Sequence, residues 1–284
     1  MRGRNRTAGL RFVQAATIAF GAIGVALLAG APVRLTALPS GYRLAAEESA
    51  EATAVWEEAI RAKGGRERLH AIRNFVMTSH TEFADSPRPD VLTYADIECL
   101  YIPPNRLWEY VDSRPGRMGD RGLALDVDHH RVLNIPRNYI PGWTSAQGAY
   151  DDLVYQLRNG QFLYLMETEH VRPEPVRLTR GRLDRLDVDI VETRVNGDRV
   201  EFSLDRRSHL PVRVLIQEQR PVLPEIYRLG DYHAVEGIQM PGNVHFGDDS
   251  RDKTPTTYRF NVEYDESIFI PGSVRFEKNG WMKR

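Results

Sequence analysis

The sequence predicts an α+β protein in which antiparallel strands dominate, and three observations carry that reading. From residue 75 onward, apolar residues recur at every second position in a series of short segments. Pro, Gly and Asn clusters separate those segments, as hairpin connections do, with no regular alternation of strand and helix. Ahead of them lies one amphipathic helical pattern, whose apolar stripe needs a partner surface that a sheet can supply.

In chain order, the first segment stands apart from the fold. Arg2, Arg4, Arg6 and Arg11 form a basic start without an acidic residue, and residues 12–29 are almost wholly apolar or small. Ala29-Gly30-Ala31 or Leu35-Thr36-Ala37 offers a small-residue cleavage site, so residues 1–37 read as a secretory signal peptide. The alternative is an uncleaved N-terminal anchor, because residues 12–31 are just long enough to span a bilayer. Thr17, Gly21 and Gly24 weaken that alternative. Either way the expected location is outside the cytoplasm, in the periplasm or cell envelope. There is no cysteine near the apolar run to take a lipid, and no adjacent arginine pair. Residues 38–48 read as a linker, and residues 49–284 as a single domain large enough to bury a core without covalent staples.

The helix comes next. Ala52, Val55, Trp56, Ala59 and Ile60 fall at i, i+3, i+4, i+7 and i+8, and Gly64-Gly65 ends the pattern. Leu69 and Ile72 add a further turn before Asn74. The period then changes to two: Phe75, Met77, Ser79, Thr81 and Phe83 share one face, and Val76, Thr78 and His80 the other. After a loop over residues 85–90, strands are expected over 91–102 and 107–112, with less distinct ones within 117–135. Tyr150, Leu153, Val154 and Leu157 return to helical spacing, so residues 145–158 read as an inserted helix stopped by Asn159-Gly160.

The C-terminal half alternates most clearly. Leu186, Val188 and Ile190 lead to Asn196-Gly197, a two-residue turn that favours positive φ. Val200, Phe202 and Leu204 return, followed by Val212, Val214 and Ile216. The stretch Tyr227 to Pro241 reads as a strand, a turn at Val235-Glu236-Gly237 and a second strand. Tyr258, Phe260, Val262 and Tyr264 alternate with polar residues. Beyond Phe269 a closing strand is expected, then a frayed end over residues 278–284.

Composition excludes several functions. Residues 1–37 hold five arginines and no lysine or acid, so their removal takes the formal charge from −1 to −6. An acidic chain of this kind is no general nucleic-acid binder. Cys99 is the sole cysteine, so no intrachain disulfide can form; in an alternating strand it reads as a small core residue, with a catalytic thiol as the minor alternative. No Gly-x-Ser-x-Gly turn and no phosphate-binding glycine loop is present. Asp151-Asp152 reads as a solvated helix N-terminus. In an extended strand Asp126, Asp128 and His130 share a face and form a weak candidate set for a divalent metal, against the simpler reading of a strand's wet face and its turn. No cofactor is expected.

The order of elements resembles a family. A signal segment, a helix ending in Gly-Gly and a strand meander is similar to the periplasmic lipoprotein-carrier superfamily, LolA/LolB-like and MucB/RseB-like. The likeness is greatest at Leu204-Asp205 and Leu210-Pro211-Val212, at Tyr232-His-Ala-Val-Glu-Gly-Ile-Gln-Met-Pro241, and at Phe260-Asn-Val-Glu-Tyr-Asp-Glu-Ser-Ile-Phe269. It covers roughly residues 50–110 and 185–271. What it implies is a curved, incompletely closed antiparallel β-barrel whose concave face is covered by helices, and an apolar cavity on that face that takes acyl chains.

With that fold, the expected lining is Trp56 and Ile60 from the lid and Trp108, Phe202, Val214, Tyr258 and Phe260 from the sheet. The function expected is that of a non-enzymatic envelope protein binding a lipid or acyl chain, with a part in lipid or lipoprotein trafficking. The competing reading is an interaction or regulatory module that binds an envelope protein and no ligand. Trp143, after Pro141-Gly142, is a loop aromatic suited to a transient membrane or partner contact.

Overall fold

The computed structural model describes residues 41–82, 94–114, 121–133, 146–195, 197–217, 224–247 and 254–284. The signal segment, the loop over 85–90 and Trp143 lie outside these residues.

Helix α1 spans Gly41–Lys63. Residues 41–48, which composition assigns to a linker, are therefore its first two turns. Its buried stripe is Ala52, Trp56, Ala59, Ile60 and Lys63. Gly64 and Gly65 end it with φ of 137° and 90°, conformations that side chains rarely adopt. Their amides return to the Arg61 and Ile60 carbonyls at 3.2 and 2.9 Å. Short helix α2, Arg66–His70, follows.

Strands β1 (Phe75–Glu82), β2 (Tyr94–Ile102), β3 (Arg106–Arg114), β4 (Arg121–Asp126) and β5 (Arg131–Leu133) form a meander. Helix α3, Ala146–Leu165, follows it and separates it from the next strands. The inserted helix thus runs past Asn159-Gly160 to Leu165. Gly160 marks a close approach rather than a stop: a Cβ there would lie 2.5 Å from the Tyr101 ring.

The second meander comprises β6 (Glu174–Leu183), β7 (Leu186–Val195), β8 (Asp198–Asp205), β9 (Pro211–Gln217) and β10 (Glu225–Gly230). A small hairpin, β11 (His233–Val235) with β12 (Ile238–Met240), precedes β13 (Asn243–Phe246) and β14 (Thr256–Phe260). All these pairings are antiparallel. One sheet has the order β14-β1-β2-β3-β4-β5, the other β13-β10-β9-β8-β7-β6. They meet where Asn243 bridges Pro255, and where the Thr256 amide donates to the Gly242 carbonyl at 2.9 Å. The result is a curved, incompletely closed antiparallel barrel with β5 and β6 at its free edges.

Strand β6 escapes the periodicity reading because most of its side chains are exposed or half-buried. It carries Arg177, Arg180 and Arg182, and charge on an edge strand discourages pairing with other chains. Helix α1 packs along it. The Ser49 hydroxyl donates to the Pro175 carbonyl at 3.4 Å, and Arg180 pairs with Glu51.

The C-terminal segment corrects a further expectation. Glu266–Phe269 forms a 3₁₀ turn, capped by Asp265 accepting from the Ser267 amide, and residues 270–284 follow in turns and irregular chain rather than a closing strand. The end is not loose. Trp281 is buried beside Val76, Leu100, Trp108, Tyr110, Ala124, Ile268 and Phe269, and these side chains cover the convex face of β1–β4.

Candidate functional site

Alternation along the strands sends one set of side chains to the concave face. Phe75 and Met77 come from β1, Cys99 and Tyr101 from β2, Leu107 from β3, and Leu123 and Leu125 from β4. Val191, Phe202, Val214, Ile216 and Leu229 come from the second meander, and Tyr258 and Phe260 from β14. The inner faces of α1 and α3 close over them in a single apolar cluster. The β11–β12 hairpin inserts there as well, burying Ile238 and Met240. Its turn sits on the end of α1, so close that a Cβ at Gly64 would meet the Gly237 carbonyl at 2.7 Å.

Of the residues expected from sequence, Trp56, Ile60, Phe202, Val214, Tyr258 and Phe260 all lie in this cluster. Trp56 meets Phe202 edge-on, with ring centroids 5.0 Å apart. Trp108 is apart from them. It points to the convex face, where its Nε1 donates to the Arg275 carbonyl at 3.1 Å. Its neighbours in β3 explain why: with Leu107 inward, the pleat turns Trp108 outward.

Polar clasps hold the helices at the margins. Buried Glu167, just beyond α3, accepts from Arg66 Nε at 2.6 Å, pairs with His70 Nε2 at 3.0 Å and accepts from Trp56 Nε1 at 3.4 Å. Arg66 is held firmly cationic by Glu167 and Glu57. On the other side of α3, Arg158 pairs with Asp198 at the start of β8.

Inside the clasps runs a belt of tyrosines. Tyr101 stacks on Phe75 at 4.6 Å, Tyr164 meets Tyr101 at 6.1 Å and Tyr258 at 5.7 Å. Burial pushes the phenols of Tyr101, Tyr164, Tyr232 and Tyr258 upward, so they stay neutral hydrogen-bonding groups. Burial and the Glu109 charge raise the Cys99 thiol well above its ordinary value. A thiol held in that form is a poor nucleophile.

Three buried polar side chains on α1 and α3 are not among the site residues expected from sequence. The Lys63 amine, both amide atoms of Asn159 and the Gln161 carbonyl oxygen are buried without a hydrogen-bond partner. The signal was present. Lys63 continues the stripe of Trp56, Ala59 and Ile60 at i+7, i+4 and i+3, and Gln161 continues that of Val154 and Leu157 at i+7 and i+4. Lys63 lies before the Gly64-Gly65 stop, whereas Gln161 lies beyond Asn159-Gly160, where the second helix is expected to end. Burial alone pushes the Lys63 amine down to about 7.

The metal candidates do not converge. They occupy the β4–β5 turn, where positive φ at His130 (48°) replaces the extended backbone that would align them. Asp126 faces His129, whose Nδ1 lies 2.8 Å from its Oδ2. Asp128 accepts from Asn105, and His130 Nε2 lies 3.1 Å from Gln147 Oε1. Among the described residues no group of His, Cys, Asp and Glu has metal-binding geometry, and no helix is long and apolar enough to cross a membrane.

No family model and no curated protein matches the chain. Among solved structures it is similar to a LolA superfamily protein from Nitrosomonas europaea, at 11% identity and a TM-score of 0.45 over 77% of this chain and 96% of that one. It is similar to a DUF1329 family protein from Desulfovibrio piger, at 9% identity and a TM-score of 0.38 over 79% and 99%. A third likeness is to a chain of the Pseudomonas aeruginosa MucA/MucB complex, at 11% identity and a TM-score of 0.24 over 76% of this chain and 59% of that one.

Proposed function

We propose that the protein is an exported, non-enzymatic binder of an apolar ligand, a lipid or acyl chain, taken up on the concave face beneath α1 and α3. One observation carries the reading. The apolar cluster runs unbroken from the helices across both meanders, and buried Lys63 on α1 and Asn159 and Gln161 on α3, the two helices that cover it, keep polar atoms without partners. Buried polar groups are almost always satisfied in folded proteins, and exceptions concentrate where a water or ligand completes them. An apolar wall with a few such groups is the usual make-up of a small-molecule site.

The margins suit uptake by displacement. Helix α1 is docked mainly on the edge strand β6 and its neighbour β7, and besides the Glu167 clasp it is fastened by exposed or half-exposed ion pairs of Glu51 with Arg180 and Glu57 with Arg66. Pairs of that kind contribute at most about 1 kcal/mol each, so a ligand's apolar contacts can outweigh them.

The test is native mass spectrometry of the full chain purified from cell membranes, followed by organic extraction. A bound mass in the lipid range, lost on extraction, is expected. A bare protein mass that also takes up no added fluorescent fatty acid would sink the reading. Cross-linking that recovers one stoichiometric envelope protein and no lipid would put the interaction module in its place.

A further inference from the structure

The amine of Lys63 is buried at the C-terminal end of α1. Lys63 is fully buried on the inner face of α1, among residues that are otherwise apolar. Its Nζ lies 5.2 Å from the Tyr232 ring centre and has no hydrogen-bond partner. It is not needed to cap α1, because the amides of Gly64 and Gly65 already return to the Arg61 and Ile60 carbonyls. No carboxylate faces it either: burial is the sole cause of its lowered basicity. The Tyr232 hydroxyl is committed to the Pro211 carbonyl at 2.8 Å.

Resting on the function proposed above, we propose that Lys63 is the counter-charge for the anionic end of the acyl ligand, a carboxylate or a phosphate. Such a head group is the complement that a buried, unpaired ammonium lacks. Beside it, the Tyr232 ring face stabilises the cation without competing for the anion. Tyr232 packs against the same apolar cluster, in which Tyr258, Tyr164 and Phe75 are in ring contact, so an apolar surface for the chain adjoins the amine. At neutral pH an amine pushed down to about 7 is divided between its two forms, so an arriving anion needs only to claim the charged one.

The experiment compares three twelve-carbon probes on the delipidated full chain: laurate, dodecyl phosphate and dodecanol. The wild type is expected to bind laurate, dodecyl phosphate or both at least about tenfold more tightly than dodecanol, the worth of one buried charge-assisted contact. Whichever anion is preferred identifies the head group. Lys63→Met should abolish that preference and leave dodecanol binding unchanged. It keeps an unbranched stem and removes an unpaired buried charge, so it should fold; Lys63→Gln is the reserve variant and must flatten the preference in the same way. A readout in the wild type itself is the titration of the Lys63 amine by NMR, whose midpoint must move up when the preferred anion is bound.

Equal binding of the three probes, a preference that survives in either variant, or a midpoint that the anion does not move would overturn this assignment. In those cases dodecanol binding would leave the acyl-ligand reading standing. Failure of all three probes to bind would overturn both.

Discussion

The two faces of the first meander are built to different standards. On the convex face, among the described residues, the buried indoles and the buried Glu98 are matched. The Trp281 Nε1 donates to Glu98 Oε1 at 3.0 Å, the Asn279 amide to Glu98 Oε2 at 2.7 Å, and Trp108 Nε1 to the Arg275 carbonyl. Arg259 lies over the Trp281 ring at 5.0 Å. The concave side is covered by a larger apolar cluster, and the helices α1 and α3 that cover it leave Lys63, Asn159 and Gln161 unmatched. A face whose polar groups are all satisfied is sufficient for stability. Unmatched groups on the opposite face lower stability, so stability is not the reason they are there.

The largest effect expected is on the convex side. Trp281→Ala removes a buried ring and leaves Glu98 facing the void, so it should cost about 3–5 kcal/mol. Denaturant unfolding should show it. The lipid bound per folded molecule should be unchanged, and a variant that also lost its lipid would break the division between the faces.

Trp56→Ala tests the concave side. Here α1 can settle onto β6 and β7 and partly close the space, so the expected cost is smaller, about 2–3 kcal/mol. Lipid retention should fall at the same time. If the thermal midpoint and the bound lipid both stay at wild-type values, α1 is not a lid.

The comparison also explains what was legible in the sequence. Alternation in Val200, Phe202 and Leu204 and the stripe through Trp56 reflect burial against water, and both could be read directly. Strand β6 could not. An edge strand under a helix keeps its charges, and among its arginines Val176 and Leu178 mark an apolar side that is only half-buried. Trp281 was hidden for a different reason. It sits in a polar, aperiodic tail, and its burial depends on partners such as Glu98 and Trp108 that are far away in sequence. Lys63 was legible in position but not in role: the stripe places residue 63 inside, although lysine is almost never fully buried unless paired.

A pH series sharpens the contrast next. In the folded chain the Lys63 amine is pushed down to about 7, whereas in the unfolded chain it titrates at the ordinary 10.5. Between those values the unfolded state holds a proton that the folded state has released. Raising the pH therefore disfavours the unfolded state, and stability attributable to this group rises. The penalty is full below pH 7 and is relieved on going up toward 10.5. From pH 7.5 to 9.5 the wild type should gain about 2 kcal/mol on Lys63→Met. The buried tyrosines, with phenols pushed above 10, are not ionised in that window in either protein. A flat difference between the two proteins would mean that the amine reaches water.

The smallest effect has the most informative sign. Gly160 lies in the middle of α3, where replacing glycine by alanine normally stabilises a helix by about 1 kcal/mol. Here the added Cβ would lie 2.5 Å from Tyr101 Cε1 and 2.9 Å from Cζ and Oη. The ring is stacked on Phe75 and braced by Tyr164, so it has little room to yield. Overpacking of that kind typically costs about 1–3 kcal/mol, enough to reverse the gain and leave Gly160→Ala about 1 kcal/mol less stable than wild type. Trimming the ring should restore the usual sign: on a Tyr101→Leu background, Gly160→Ala should stabilise. If the single substitution stabilises the wild type, α3 does not press against β2, and the tyrosine belt of the concave face is not held together by this contact.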